Sequence, residues 1–315
     1  MANDKRGAND MREIIWELRS AMQSGWDAVV KLYMSDPRPH LTTISGSGYT
    51  ALHVAVADGE EDIVQKLVDA IKSHWYVNNA FKVPRDVINM KEESGGLFFC
   101  LPEADEIKDG ETVINSPLGI KNSKGNTPLH LAASIGNVRM CKYITDVGYE
   151  ALLEDCNDAG ESPLFLAALH GRKEAFLFLN SLLKTQASEN HVNKRNNRDT
   201  ILHCAVSGDY FDLAFQILQL YPNLATSVNV HGKTPLHILA SKPSAFKSAC
   251  TFGLWKAVIY ECIIVEKLQQ NSKWDPASLI EDCSGTHPKP ETYPANYIPL
   301  VRCFGVLWEF VMIGT

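Results

Sequence analysis

The sequence predicts an all-α solenoid: stacked helix-turn-helix units with β-hairpin or loop tips. Three observations lead there. One nine-residue phrase returns five times, as GYTALHVAV from Gly48, GNTPLHLAA from Gly125, GESPLFLAA from Gly160, RDTILHCAV from Arg198 and GKTPLHILA from Gly232. The copies are 77, 35, 38 and 34 residues apart, so all but the first step approximate a helical repeat of about 33 residues. The first step is one such period plus an insertion of roughly forty residues. Finally, each copy carries its own helix-start chemistry.

Thr50, Thr127, Thr200 and Thr234, with Ser162 in the third copy, are N-caps, their hydroxyls placed to accept from orphan amides of the first turn. Pro128, Pro163 and Pro235 follow at N1, where φ is already helical. Leu129, Ala132 and Ala133 make a narrow apolar face whose small residues let successive units approach closely. Gly59, Gly136, Gly171 and Gly208 then end the first helices at a residue tolerant of positive φ. Second helices are expected over 62–71, 138–145, 173–183 and 211–220, the last stopped by Pro222.

The units follow in order. Residues 1–10 are polar and read as disordered. Residues 11–45 have apolar positions at helical spacing on either side of Gly25 but no cap phrase, the pattern of an N-terminal capping unit. A repeat over 46–80 precedes an insertion, 81–122, with acidic residues around the cluster Leu97, Phe98, Phe99, Cys100 and Leu101. That insertion is read as a mobile excursion, the alternative being a docking motif. Repeats over 123–157, 158–196 and 197–230 follow, and 231–270 holds the last repeat with C-terminal capping helices. Within it Trp255, Val258, Ile259, Cys262 and Ile263 line one helical side. Residues 271–315 are a proline-rich tail with an apolar end.

The phrase TPLH in this setting resembles the ankyrin repeat. The resemblance covers about residues 11–268, and its five copies keep nearly one spacing. His53, His130, His203 and His237 occupy one position of the phrase. Spread along the stack by about 10 Å per unit, they read as structural histidines that bond the cap Thr and backbone, not as metal ligands. Phe165 replaces that His in the third copy, Ala51 and Ile201 replace Pro, and Arg198 replaces Gly. These departures should weaken local order without changing the fold.

Further stretches, GNTPLHLAASIGNVRMCKYI, ESPLFLAALHGRKEAFLFL, HGKTPLHILASKPSAFKSA and YPANY at 293–297, resemble a plant family: ankyrin proteins related to the accelerated-cell-death proteins, whose longer members end in a membrane-spanning PGG domain. This resemblance implies a cytosolic array with a role in defence or stress signalling. Having no PGG tripeptide, the chain reads as a short or truncated member lacking that domain.

A formal charge of −7 and a pI near 5.8 argue against general binding to nucleic acid or anionic membranes. The basic stretch HVNKRNNR, residues 191–198, reads as a solvated loop. Eight cysteines without ligand-like spacing fit free thiols in a reducing cytosol. No uncharged run reaches transmembrane length, so the expected location is cytoplasmic, at the inner face of the plasma membrane only through partners.

No catalytic constellation or phosphate loop stands out, and neither a cofactor nor a metal is expected. His203 and Cys204 adjoin, but a buried thiol without a positive neighbour is inert. The chain therefore reads as a non-enzymatic protein-interaction scaffold. The alternative is a soluble regulatory or assembly partner of membrane-bound PGG-domain relatives.

Partners are expected to be proteins, those membrane-bound ankyrin relatives among them, and not nucleic acid. In ankyrin arrays binding falls on hairpin tips and on exposed faces of first helices. Carried onto this sequence, the tip positions are Lys121, Asn122, Lys124, Asp158, Asn197, Arg198 and His231. The first-helix positions are Asp58, Ser134, Ile135, Leu169, His170, Ser207 and Asp209.

Overall fold

First helices stack on first helices in single file, and the second helices of the first three phrases stack on one another beside them. The computed structural model describes residues 2–77, 80–81, 116–146, 151–183 and 194–246. The first helices of the five phrases are α3 (Ala51–Asp58), α5 (Pro128–Ile135), α8 (Pro163–Leu169), α10 (Ile201–Ser207) and α12 (Pro235–Ala240), each packed on the next. Their partners are α4 (Glu61–Trp75), α6 (Val138–Thr145), α9 (Lys173–Leu183) and α11 (Phe211–Leu220). A short helix, α7 (Ala151–Glu154), precedes the third phrase and buries Leu152 and Leu153. At the N-terminal end α1 (Ala2–Ser24) packs on α2 (Trp26–Ser35), which packs on α4.

One apolar core runs the length of this stack, from Leu18 in α1 to Leu224 beyond α11. Its narrowness explains the phrase. Ala55, Ala132, Ala167 and Ala205 occupy one register and are fully buried, and only a methyl there lets neighbouring helices close. The sole strands among the described residues, Tyr76–Val77 and Ala80–Phe81, form a two-residue antiparallel pair after α4.

The structure changes several expectations. Helix begins at Ala2, not at residue 11, since no proline interrupts the preceding stretch. The ordered stack resumes at Ser116, within the expected insertion: Pro117–Gly119 forms a 3-10 turn that buries Leu118, and Ile120 follows it into the core. Residues 82–115, and with them the acidic segment and its aromatic cluster, lie outside the described residues. So do the expected C-terminal capping segment beyond Phe246 and the proline-rich tail.

Glycine placement also differs. Gly59, Gly136 and Gly171 take φ of 81°, 88° and 66°, as expected, but Gly208 has φ −83° and Asp209 takes the positive φ of 61°. Gly208 lies one residue short of the turn register, and the Tyr210 ring lies across it where a Cβ would stand. Arg198, at φ 61°, adopts the conformation that Gly48, Gly125, Gly160 and Gly232 hold at 69–76°. The departure from glycine therefore costs about 1–2 kcal/mol of backbone strain while the tip shape is retained.

Candidate functional site

The tips are built by a side-chain device. Asn122, Asn157 and Asn229 stand five residues before their caps, and each Oδ1 accepts backbone amides across its own turn, from Lys124 and Asn126, from Ala159 and Glu161, and from His231 and Lys233. Successive tips are then joined by backbone bonds: the amides of Ser123, Asp158, Asn196 and Val230 donate to the carbonyls of Ser47, Lys124, Ala159 and Asn197. Glycine at the tip permits this approach, since a Cβ on Gly125 would meet the Asp158 amide nitrogen at 2.6 Å.

The phrase histidines tie the same units together. His53, His130 and His203 hold Nε2 at 3.0–3.1 Å from the carbonyls of Asn126, Glu161 and Lys233 in the following unit. A carbonyl only accepts, so Nε2 carries the proton, and Nδ1 accepts from the backbone amides of Thr50, Thr127 and Thr200 at 3.2 Å. Both ring nitrogens are thereby occupied. Burial, opposed in part by the Nε2 hydrogen bonds, pushes His53 and His130 down to about 4. Among the described residues no group of three or more His, Cys, Asp or Glu side chains is placed to hold a metal ion.

The third interface uses different chemistry. Phe165, fully buried in the His register, cannot reach across. Arg195 stands where three of the other tips have Asn and the first has Ser45, with its guanidinium 5.9 Å from the Phe165 ring centroid. It pairs with Glu161 at 3.2 Å and Asp199 at 2.8 Å. Burial acts against ionised Asp199, but hydrogen bonds from Arg195, Asn229 and Asn197 hold its pKa below the usual value. Sequence reading saw the loss of His here and missed its compensation; the signal was the coincident change of His to Phe and Asn to Arg in adjoining units.

The first-helix candidates converge. Asp58, Ser134, Ile135, Leu169, His170, Ser207 and Asp209 lie at the C-terminal ends of α3, α5, α8 and α10, in one row of neighbouring units. Asp58, Ile135, His170, Ser207 and Asp209 are exposed, and Ser134 and Leu169 half-buried. Two basic residues missed by sequence reasoning bridge this row: Arg172 Nε donates to the Ser134 carbonyl at 3.1 Å, and Lys242 Nζ reaches the Ser207 carbonyl and Asp209 Oδ1 at 2.6 Å. Tyr210, also missed, lies over Gly171 and Gly208.

The tip candidates divide. Lys124, Asp158, Arg198 and His231 are exposed, and Asn197 is half-buried with Oδ1 accepting from Arg195 and the Asp199 amide. Lys121 is engaged with Asp155 at 2.7 Å and the Cys156 carbonyl at 2.9 Å. Asn122 is a correction. It is buried, and its Oδ1 is spent inside the turn; its Nδ2 lacks a hydrogen bond because Tyr49 fills the register in which Asn126 accepts from Asn157. Cys204 is buried too, and burial pushes its thiol up to about 12, the opposite of what a nucleophile needs.

Comparison with known proteins agrees with this geometry. A family model for an ankyrin repeat matches residues 47–78, and a model for three copies of ankyrin repeats matches residues 107–181. Among curated proteins, the chain is 32% identical over 96 residues to ankyrin repeat domain-containing protein 13C-A of Xenopus laevis, covering 30% of this chain and 18% of that one. It is 24% identical over 220 residues to the nuclear factor NF-kappa-B p105 subunit of Mus musculus, covering 68% and 21%. It is also 24% identical over 188 residues to the NAD-dependent deacetylase sir2B of Dictyostelium discoideum, covering 58% and 24%. The chain thus spans a quarter or less of each of these relatives.

Proposed function

From the premise that the chain is an ankyrin-repeat protein, we propose that it is a non-enzymatic scaffold that binds a protein partner along the row of first-helix ends. Ankyrin repeats imply protein–protein interaction, and the observation supporting this row is Ile135. It is a large apolar side chain left 38% exposed, next to half-buried Leu169 and exposed His170 on the adjoining unit. Such a side chain on a rigid frame gives a partner an anchor, with the surrounding polar and charged positions as rim. Arg172 and Lys242 hold the row in place between units, so its shape exists before the partner arrives and less ordering entropy is lost on binding. Charges of both signs, among them Asp58, Asp209 and Lys242, fit a protein surface better than a polyanion.

The process in which it acts is proposed from resemblance: plant defence or stress signalling, in the cytoplasm and, through partners, at the plasma membrane. Two features support it, the long stretches similar to the PGG-domain ankyrin family and the YPANY segment at 293–297. No helix among the described residues is long and apolar enough to cross a membrane.

The test is proximity labelling in plant cells with the full chain and with the variant Ile135→Glu, Leu169→Glu, His170→Glu, folding being checked by far-UV circular dichroism and urea midpoint. Partners captured by the parent and lost from the folded variant are the expected result. An identical partner list would refute binding by this row; if dominated by membrane-bound ankyrin relatives, it would favour the assembly-partner role.

A further inference from the structure

Cations clasp the C-terminal ends of two first helices. At α5, Arg172 of the following unit donates to the Ser134 carbonyl at 3.1 Å, and at α10, Lys242 of the following unit reaches the Ser207 carbonyl and Asp209 Oδ1, each at 2.6 Å. Both carbonyls stand seven residues after their cap. They belong to the last turn of a helix, whose unsatisfied carbonyls and negative dipole end attract Lys and Arg.

The equivalent end of α3 carries the acceptors without the cation. The carbonyl in that register belongs to Ala57, an exposed residue, and Asp58 beside it is exposed and makes no hydrogen bond or ion pair among the described residues. The two positions that supply cations elsewhere supply none here: Ile135 holds the register of Lys242, and Asn137, in the register of Arg172, donates instead to Glu61 at 2.7 Å. Helix ends explain the neighbouring acids but not Asp58. Glu61 and Asp62 lie in the first turn of α4, where the dipole favours a carboxylate. Asp58 is the last residue of α3, where the dipole opposes one.

We infer that the α3 end is where the partner inserts a Lys or Arg, completing from outside the clasp that Arg172 and Lys242 make within the chain. The inference rests on the scaffold reading above and gives its partner a chemistry: a protein segment with a basic residue on Asp58 and the Ala57 carbonyl, beside an apolar side chain on Ile135. One segment can make both contacts, because Asp58 and Ile135 share a register on α3 and α5, which pack directly. Such helix axes lie about 8–10 Å apart, a distance that an extended chain covers in about three residues. Charge complementarity favours a basic segment at this end. Glu60 and Asp62, exposed and also without an ion pair among the described residues, add to the negative charge of Asp58, whereas Asp209 and Asp212 further along are paired with Lys242 and Lys173.

The experiment pans a phage-displayed library of random dodecapeptides on the immobilised full chain. Synthetic versions of the selected peptides are then titrated by fluorescence anisotropy against the parent, Asp58→Lys, and the variant Ile135→Glu, Leu169→Glu, His170→Glu. Selected peptides should carry Lys or Arg within a few residues of a large apolar side chain, and Asp58→Lys should weaken them at least about tenfold. Their affinity for the parent should fall with added salt. A lysine suits the last turn of α3, so Asp58→Lys should fold with an unchanged or higher urea midpoint. Selected peptides without a basic residue, no selected peptide at all, or affinities unmoved by Asp58→Lys would overturn the inference. So would a lower midpoint for Asp58→Lys, which would make Asp58 a structural residue. Peptides lost to the Ile135, Leu169 and His170 variant but indifferent to Asp58→Lys would sink this inference and leave the row standing, whereas peptides indifferent to both would refute the row as well.

Discussion

Lowering the pH should unfold this array through its buried histidines, with a magnitude that follows from their placement. His40, His53 and His130 are at most 1% exposed, and each is pushed down from 6.5 to about 4, chiefly by burial. His40 is enclosed by the Trp75 indole, which donates to its Nδ1 at 2.7 Å, while its Nε2 donates to the Tyr33 carbonyl at 2.8 Å. The sign follows from the neutral form being the folded one. The stabilisation is full above the unfolded value of about 6.5 and is lost as the pH falls from there toward 4, because the unfolded chain takes up protons first. At pH 5 each histidine costs about 2 kcal/mol relative to pH 8, so the three together cost about 6 kcal/mol. Near pH 5 unfolding should take up between two and three protons, about 4 kcal/mol per pH unit. Carboxylates do not imitate this. Asp36 and Asp199 are held low, so their contribution survives until the pH falls below the ordinary aspartate value.

The assay is a series of urea transitions from pH 8 to pH 5, with His53→Gln and His130→Gln as controls. The midpoint should fall by at least about 2 M over that range, and each variant should remove about one proton from the slope. A total uptake below one proton between pH 6.5 and 5 would refute the claim that these rings are buried in the neutral form.

Other outcomes follow from the interfaces. Gly125→Ala, whose Cβ would strike the Asp158 backbone at 2.6 Å, should destabilise by more than the roughly 1–2 kcal/mol of left-handed strain expected for Gly232→Ala; equal midpoint shifts would contradict the tip packing. Arg195→Ala should cost about 1–3 kcal/mol in denaturant melts by stranding the nearly buried Glu161 and Asp199. The pair Phe165→His, Arg195→Asn should recover part of that, and a double-mutant cycle showing no coupling would separate the two residues. Leu129→Ala should lose about 2–5 kcal/mol through its cavity and leave the two ends of the array melting separately, which probes placed at each end would resolve.

The repeat was legible because its determinants are local. A Thr cap, a Pro at N1, an Ala that admits a neighbour and a His that closes on its own cap act within nine residues, so the phrase recurs with few changes in all five copies. The row of first-helix ends was legible for the same reason, as a fixed offset from each cap. What escaped depended on the neighbouring unit. Asn122 looked like an exposed tip residue until the turn closed around its oxygen, and Gly208 looked like a left-handed cap until Tyr210 was seen lying across it. The Phe165–Arg195 substitution joins residues thirty positions apart, a distance that no single phrase spans.

By itself, the sequence determined the all-α repeat fold, the first and last residues of most phrase helices to within a few positions, and the structural role of the histidines, because these depend on hydrogen bonds and φ values within one unit. Tertiary structure alone decided which polar side chains are spent between units, such as Lys121, Arg172, Arg195 and Lys242. It alone left Ile135 and Leu236 facing outward, since exposure belongs to the neighbour that packs against a residue and not to the residue itself.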